Sequence, residues 1–314
     1  MPIRRLYPLM LALLALPACG GDDVRGVGLA AFDTAGVPAF DADGAHALLA
    51  RQVAFGPRVP GSAAHAAQLD WMTAFLRERA DTVIVSPFQH TASDGRALAM
   101  SNVFARFEPE HRDRVLLLAH WDTRPTADND AERSDEPIPG ANDGASGVAV
   151  LMEIANVLAS HSAPIGVDLL FVDGEDYGPD ERDMYLGAKH FAANRPPGYQ
   201  PLYGILVDMV ADQQPVFPIE GNSQSMAPEV VARVWGVAEQ LGLGHIFVRR
   251  PGRTVMDDHV PLNRAGIRTI DIIDFDYGPG NGLWHTHGDV VENTGPAGLD
   301  AVGRVLLTLI WNRG

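Results

Sequence analysis

The chain has 314 residues, of which 46% are hydrophobic and 20% charged, enough apolar content for a folded protein with a sizeable core. Its formal net charge is -16, a surface that repels nucleic acid and anionic lipid and so excludes both as partners; the acidity itself reads as a solubility feature. No repeat of solenoid length is visible.

Residues 1–18, "MPIRRLYPLMLALLALPA", join a basic start at Arg4 and Arg5 to a Leu/Ala-rich stretch too short to span a bilayer as a mature helix. This is the pattern of an export signal. The sole cysteine, Cys19, follows at once, and "LPAC" resembles a bacterial lipobox. The expectation is a lipidated Cys19 and an exported lipoprotein on the periplasmic side of a membrane. Gly20 after the cysteine favours the outer membrane, and contact with lipid would run only through the anchor. With Cys19 modified no disulfide can form, so the core must stabilise the fold unaided. Residues 19–40, rich in Gly, Ala and Asp, read as a flexible tether, and residues 41–314 as the folded domain.

Along that domain, residues 43–54 predict a short helix, "FGPRVPGS" a rigid loop, and residues 63–79 an amphipathic helix with Trp71, Phe75 and Leu76 in the core. "TVIVSPFQH" and "SNVFARFE" predict a strand hairpin. The continuous apolar run 115–119 predicts a buried central strand, 144–159 a helix, and "VDLLFVD" at 167–173 another central strand. Helices over 186–194 and 228–241 alternate with strands in "GILVDMV", "HIFVRR" and "GIRTIDII", and residues 299–311 close the chain as a helix. Strands alternating with helices predict one α/β domain: a mixed, mostly parallel central sheet with helices on both faces.

Ligands and chemistry collect beyond the carboxyl ends of strands in such sheets. His120 and Asp122 follow the first central strand, and Asp143 lies in "GANDGASG" just before a helix. Glu175 and Asp176 follow "LLFVDG", Asp208 ends "GILVD", and His285 lies in "GLWHTHGD" after the last strand. A carboxylate at one strand end is often only a helix cap. Imidazoles and carboxylates in five successive loops point instead to a divalent ion such as zinc. His287, His259, Lys189 and His190 read as rim, structural or solvated residues. Asp128, Asp130, Glu132 and Asp135 read as a solvated acidic loop rather than a calcium site.

The motifs "AHWDT", "GANDGASGV", "DGEDYG", "LVDMV" and "WHTHGD" occur in the order seen in the co-catalytic zinc aminopeptidases and their relatives, the animal-type glutaminyl cyclases. The resemblance runs from "FGPRVPGS" to the last helix. It implies that Asp143, Asp176 and His285 hold zinc, with His120 and Asp208 at second-site positions: one ion, with two as the alternative. Asp122 would orient His120. Glu175 would be the general acid/base. The family usually has Glu-Glu where this chain has Glu-Asp, and the shorter Asp176 requires the metal to sit closer to that loop.

"MYLGAKHFA", "MDDHVPLNRAGIRTIDII" and "WHT" resemble the cyclases more than the peptidases, and "AHWDTRPTADND" resembles their bacterial representatives. The resemblance then implies conversion of N-terminal glutamine of peptides or proteins to pyroglutamate. Glu175, Asp208 and Asp258 would act on the proton and the leaving amide, Trp284 would wall the lactam, and the enzyme would be a monomer. Animal cyclases carry a pocket tryptophan after the acidic pair; "YGPDERDMY" has none and offers Tyr177 and Tyr185 in its place. The alternatives are a zinc aminopeptidase, in which Glu175 activates water, and a non-catalytic binding domain on a peptidase scaffold. Retention of all the ligands and of Glu175 disfavours the last.

Overall fold

The computed structural model describes residues 32–314. The expected signal segment and Cys19 lie outside the described residues. The tether expected over 19–40 gains contacts before its end: Phe40 is buried, and Phe32 and Val37 pack against the core. Backbone amides of Phe32 and Asp33 donate to Gln240 and Asn312 at 2.8 Å each, so packing begins ahead of residue 41 because these aromatic rings find apolar surface.

In chain order the elements are α1 (Ala42–Val53), α2 (Ala63–Arg77), β1 (Thr82–Thr91), β2 (Ala97–Phe107), β3 (Arg114–His120), α3 (Ala145–Ser160), β4 (Gly166–Val172) and α4 (Leu186–Asn194). They continue with β5 (Gly204–Asp208), β6 (Phe217–Ile219), α5 (Gly221–Met226), α6 (Pro228–Gln240), β7 (Phe247–Pro251), α7 (His259–Arg264), β8 (Thr269–Ile273) and α8 (Pro296–Trp311). Asp41 caps α1 by accepting from the Gly44 amide at 2.9 Å, and Ser62 caps α2 by accepting from His65 at 3.1 Å, each occupying a donor the first turn leaves free. Pro228 opens α6, where no amide is needed.

Six strands form one sheet in the order β1-β2-β4-β3-β5-β8. β1, β2 and β4 pair antiparallel; β4, β3, β5 and β8 run parallel. The sheet is mixed, as expected, but β7 is not part of it: "FVRRP" pairs with β6 in a separate two-stranded sheet. β3 and β4 are buried along their whole length, which is why they read as continuous apolar runs rather than alternating ones. Their side chains still alternate: Val115, Leu117 and Ala119 join the core that contains α1, α3, α6 and α8, while Leu116 and Leu118 face the one with Phe191 of α4 and Leu262 of α7. α3 comes so close to β5 that a Cβ at Gly147 would lie 2.0 Å from the Val207 carbonyl oxygen.

The two ends of the central strands differ. At the amino end, buried Asp168 accepts from Arg114 at 2.5 and 2.8 Å, Arg106 at 3.0 Å and Tyr199 at 2.8 Å, a satisfied network. At the carboxyl end the buried acids lack that number of donors.

Candidate metal centre and its cavity

β3 ends in His120 and turns into Asp122; β4 ends before Glu175 and Asp176; β5 ends in Asp208. The loop leading into α3 carries Asp143, and the loop after β8 carries His285. Parallel strands bring these tips together, and all seven residues are buried. Two groups of donors result. Asp143, Asp176 and His285 form one, and His120, Asp143 and Asp208 the other.

Asp143 stands between them. Its Oδ2 lies 3.5 Å from His285 Nε2, which is also 3.5 Å from Asp176 Oδ1. Zinc bonds to nitrogen and oxygen of about 2.0–2.2 Å in a tetrahedron require ligand atoms roughly 3.4 Å apart. The spacing therefore fits the ion. So does chemistry: among the described residues, buried Asp176 Oδ2 has no hydrogen-bond partner, which suits an atom that binds a cation. Burial pushes the His285 imidazole down to about 4, so it is neutral, the form that binds metal. On the other side, His120 Nε2 lies 3.1 Å from both Asp143 Oδ1 and Asp208 Oδ1. Burial disfavours its charge, but Asp208 and its other carboxylate partners outweigh that and raise the imidazole well above its ordinary value.

Asp122 Oδ1 faces His120 Nδ1 at 3.6 Å, within ion-pair range but too long for a hydrogen bond, and among the described residues His120 Nδ1 has no hydrogen-bond partner. Asp122 accepts the backbone amides of Glu175 at 3.0 Å and Asp176 at 3.2 Å, fixing the peptide that carries both residues. Asp289 does the same for the loop that carries Asp143, accepting from Asn142 at 2.7 Å and Asp143 at 3.2 Å. "WHTHGD" thus supplies a candidate ligand and a loop anchor.

The candidate ligands open onto a cavity of about 490 Å³. Its wall includes Glu175, Asp208, Asp257, Tyr185, Phe275 and Trp284. Burial, with Asp257 and Asp176 adding repulsion against the pull of His120, pushes the Glu175 carboxyl well above the usual range. A carboxyl poised to hold and release a proton suits general acid/base work. The Trp284 ring stacks on His285 at 3.9 Å between centroids and leans on Phe275 at 4.8 Å. Of the two tyrosines available for the missing tryptophan, Tyr185 lines the cavity, whereas Tyr177 packs with Leu98, Met100 and Leu186.

Asp257, not the expected Asp258, lines the cavity beside Glu175 and Asp208. Asp258 is fully buried behind the wall, neither carboxylate oxygen hydrogen-bonded among the described residues, and burial carries its carboxyl up to about 8. Asp257 is backed by His259 and Asp271 in a third buried group. Among the described residues Asp271 has no donor on either oxygen, and burial plus Asp257 push it well above the carboxylate range. His259, expected to be structural, lies 3.1 Å from Glu220. His287 pairs with Asp130 at 2.9 Å, at the rim and outside both candidate ligand groups. Lys189 and His190 are not simply solvated: Lys189 donates to the Met184 carbonyl at 2.7 Å, and His190 stacks on Phe88 at 4.5 Å.

A sequence profile of peptidase family M28 matches residues 102–310. Among solved structures, the chain is 39% identical to a glutaminyl cyclase of Bacteroides thetaiotaomicron bound to N-acetylhistamine, covering 88% of this chain and 99% of that one with a TM-score of 0.84. It is likewise 39% identical to a structure described as a leucine aminopeptidase precursor from Bacteroides thetaiotaomicron, covering 90% and 99% with a TM-score of 0.85. A curated relative, the glutaminyl-peptide cyclotransferase-like protein of Mus musculus, is 24% identical over 283 residues, 81% of this chain and 71% of its own length.

Proposed function

The chain belongs to peptidase family M28, and on that premise we propose that it is a zinc-dependent glutaminyl-peptide cyclotransferase acting on peptides that begin with glutamine. The observation that carries this reading is the aromatic wall over the metal triad. Trp284, stacked on the ligand His285 and backed by Phe275, offers a flat apolar face of the kind that a five-membered lactam fits. The likeness to bacterial glutaminyl cyclases across nearly their whole length supports it.

Asp143, Asp176 and His285 would hold one zinc, leaving a position open for substrate. When bound, the ion acts as a Lewis acid on the substrate's γ-carbonyl. Glu175 takes a proton from the α-amine as its nitrogen attacks the side-chain amide carbon. The carbon–nitrogen bond to the amide then breaks, and Glu175 returns the proton to the departing ammonia. Asp208 and Asp257 line the same cavity and hold the amine and the leaving amide. The amine is tethered to the carbonyl it attacks, so proximity supplies much of the rate.

A second reading, a zinc aminopeptidase, is favoured by His120, Asp143 and Asp208, which form a second donor group sharing Asp143 with the first, and by the relatives named aminopeptidase. There Glu175 would activate water. Incubating the zinc-loaded protein with a Gln-initiated peptide separates the two. The cyclase product is lighter by one ammonia with no residue lost; an aminopeptidase releases free glutamine and the shortened peptide, which overturns the first reading. The sequence-based expectations of a Cys19 lipid anchor, a periplasmic location and a monomeric state form part of the same proposal, and Cys19→Ser is expected to release the protein from the membrane fraction.

A further inference from the structure

The loop after β3, "TRPTADND", plays no part in the chemistry above, and its acids were expected to be solvated. Asp128 is exposed, as expected, but Arg124, Asn129 and Asp130 are turned onto the two ligand loops. Arg124, 6% exposed, donates from Nη1 to Asp176 Oδ1 at 2.8 Å and to the Asp176 carbonyl at 3.3 Å. Its Nε and Nη2 reach Asp128 Oδ2 at 2.6 and 2.5 Å, and Asp128 is held in turn by Thr126 at 2.7 Å. The next residue, Asn129, donates its amide to the His285 carbonyl at 3.1 Å and its side chain to the Trp284 carbonyl at 3.3 Å. Asp130 Oδ2 accepts from the His287 amide at 3.1 Å and from its Nδ1 at 2.9 Å. Asp130 Oδ1 meanwhile accepts from Glu132 and Arg133 within its own turn at 3.0 and 3.1 Å.

We propose that residues Arg124 to Asp130 are a brace that positions two of the three metal ligands, Arg124 setting the carboxylate of Asp176 and Asn129 with Asp130 holding the backbone of His285. Both ligands need holding. A guanidinium is a rigid planar fork, and with its far side anchored on Asp128 it fixes the rotation of the Asp176 carboxylate. One oxygen is pinned 3.5 Å from His285 Nε2 and the other is left without a partner. Aspartate is a short ligand with little reach to correct a misplaced carboxylate, so its orientation must come from outside. His285 has φ +53°, a left-handed conformation that a residue with a Cβ keeps only where its surroundings impose it. The brace bonds the carbonyls of Trp284 and His285 and the amide of His287, the backbone on both sides of that strained position. Gly178 makes room for the guanidinium: with φ +66°, a Cβ there would stand 2.8 Å from Arg124 Nη1.

The inference rests on the metal-centre reading, so its test is zinc affinity rather than turnover. Metal-free full-length protein is titrated with zinc against a chelating competitor, and the melting midpoint of the metal-free form is recorded alongside. Wild-type protein that binds no zinc defeats the metal reading itself. Given wild-type binding, Arg124→Gln is expected to weaken zinc by roughly 10- to 100-fold, the usual cost of removing a group that orients a ligand. Arg124→Lys should rescue little, because an ammonium cannot span Asp176 and Asp128 as a fork does. Asp130→Asn should weaken zinc by a smaller factor, and none of the three variants should shift the metal-free midpoint by more than a few degrees. Should Arg124→Gln fail to fold, Asp128→Asn, at the half-exposed outer anchor, carries the same test. Wild-type zinc affinity in the folded Arg124 and Asp130 variants, or in Asp128→Asn where Arg124→Gln does not fold, overturns the proposal.

Discussion

Asp122 accepts the backbone amide of Glu175 at 3.0 Å, and the same carboxylate takes the next amide along, that of Asp176. One buried side chain at the end of β3 thus fixes the peptide at the end of β4 that carries the proposed acid/base and a proposed ligand. Asp122→Ala leaves two buried amides unpaired, a cost of about 1–3 kcal/mol each. The expected outcome is a lower melting midpoint, weaker zinc binding and lower turnover together. Full zinc affinity and turnover in Asp122→Ala would show that the strand ends hold Glu175 and Asp176 without it.

Glu175 and Asp176 are neighbours with different expected failures. Glu175→Gln keeps shape and hydrogen-bonding reach but loses the proton shuttle; it should retain zinc and lose at least about a hundredfold in turnover of a Gln-initiated peptide. Asp176→Asn should lose metal first. Turnover and zinc content measured on both variants decide the matter, and the reverse pattern would exchange the roles.

For the ligand set, His285→Ala should lose most of its zinc by metal analysis. His287, which faces Asp130 at the rim, should be dispensable as a ligand, so His287→Ala should stay largely loaded under saturating zinc. Loss of metal in the second variant alone would transfer the ligand role to His287.

The neighbours Asp257 and Asp258 provide a sharper comparison. Asp257 lines the cavity and Asp258 does not. Asp257→Asn is expected to lower kcat by about a hundredfold, within the range of a group engaged in proton transfer. Asp258→Asn should stay within a few-fold of wild type. Equal losses in both would mean that the two carboxylates act as one unit.

Asp258 also makes stability depend on pH. Burial raises its carboxyl from the ordinary 3.8 to about 8. The folded state therefore binds a proton that the unfolded state releases, and this contribution is full below 3.8 and lost as pH rises through about 8. Metal-free protein should melt higher at about pH 6.5 than at about pH 9, the window set by that raised value. In Asp258→Asn, which cannot ionise, the difference should shrink. An unchanged slope in the variant would assign the pH dependence to other buried acids.

What the amino-acid sequence determined by itself was the set of long elements and the chemistry at their ends. α4 spans Leu186–Asn194, the range its pattern implies, and the buried runs of β3 and β4 are visible because a strand covered on both faces must be apolar throughout. The candidate ligands were legible for a related reason. Strand tips in a parallel sheet converge, so a His or acid after each apolar run has few other places to be. The three-residue β6 and the six-residue α5 and α7 were not legible, being too short to show a period. Strand order was not legible either: β2 lies beside β4, and β7 leaves the main sheet for β6, through pairings between distant segments. Nothing local separates Asp257 from Asp258. They are adjacent acids at the start of the short helix α7, and only the way that helix packs decides which one faces the cavity. Arg124 is the same kind of case. Its charge is plain in the chain, but its partner lies 52 residues away, and only folding brings β3 and β4 side by side so that the guanidinium reaches Asp176.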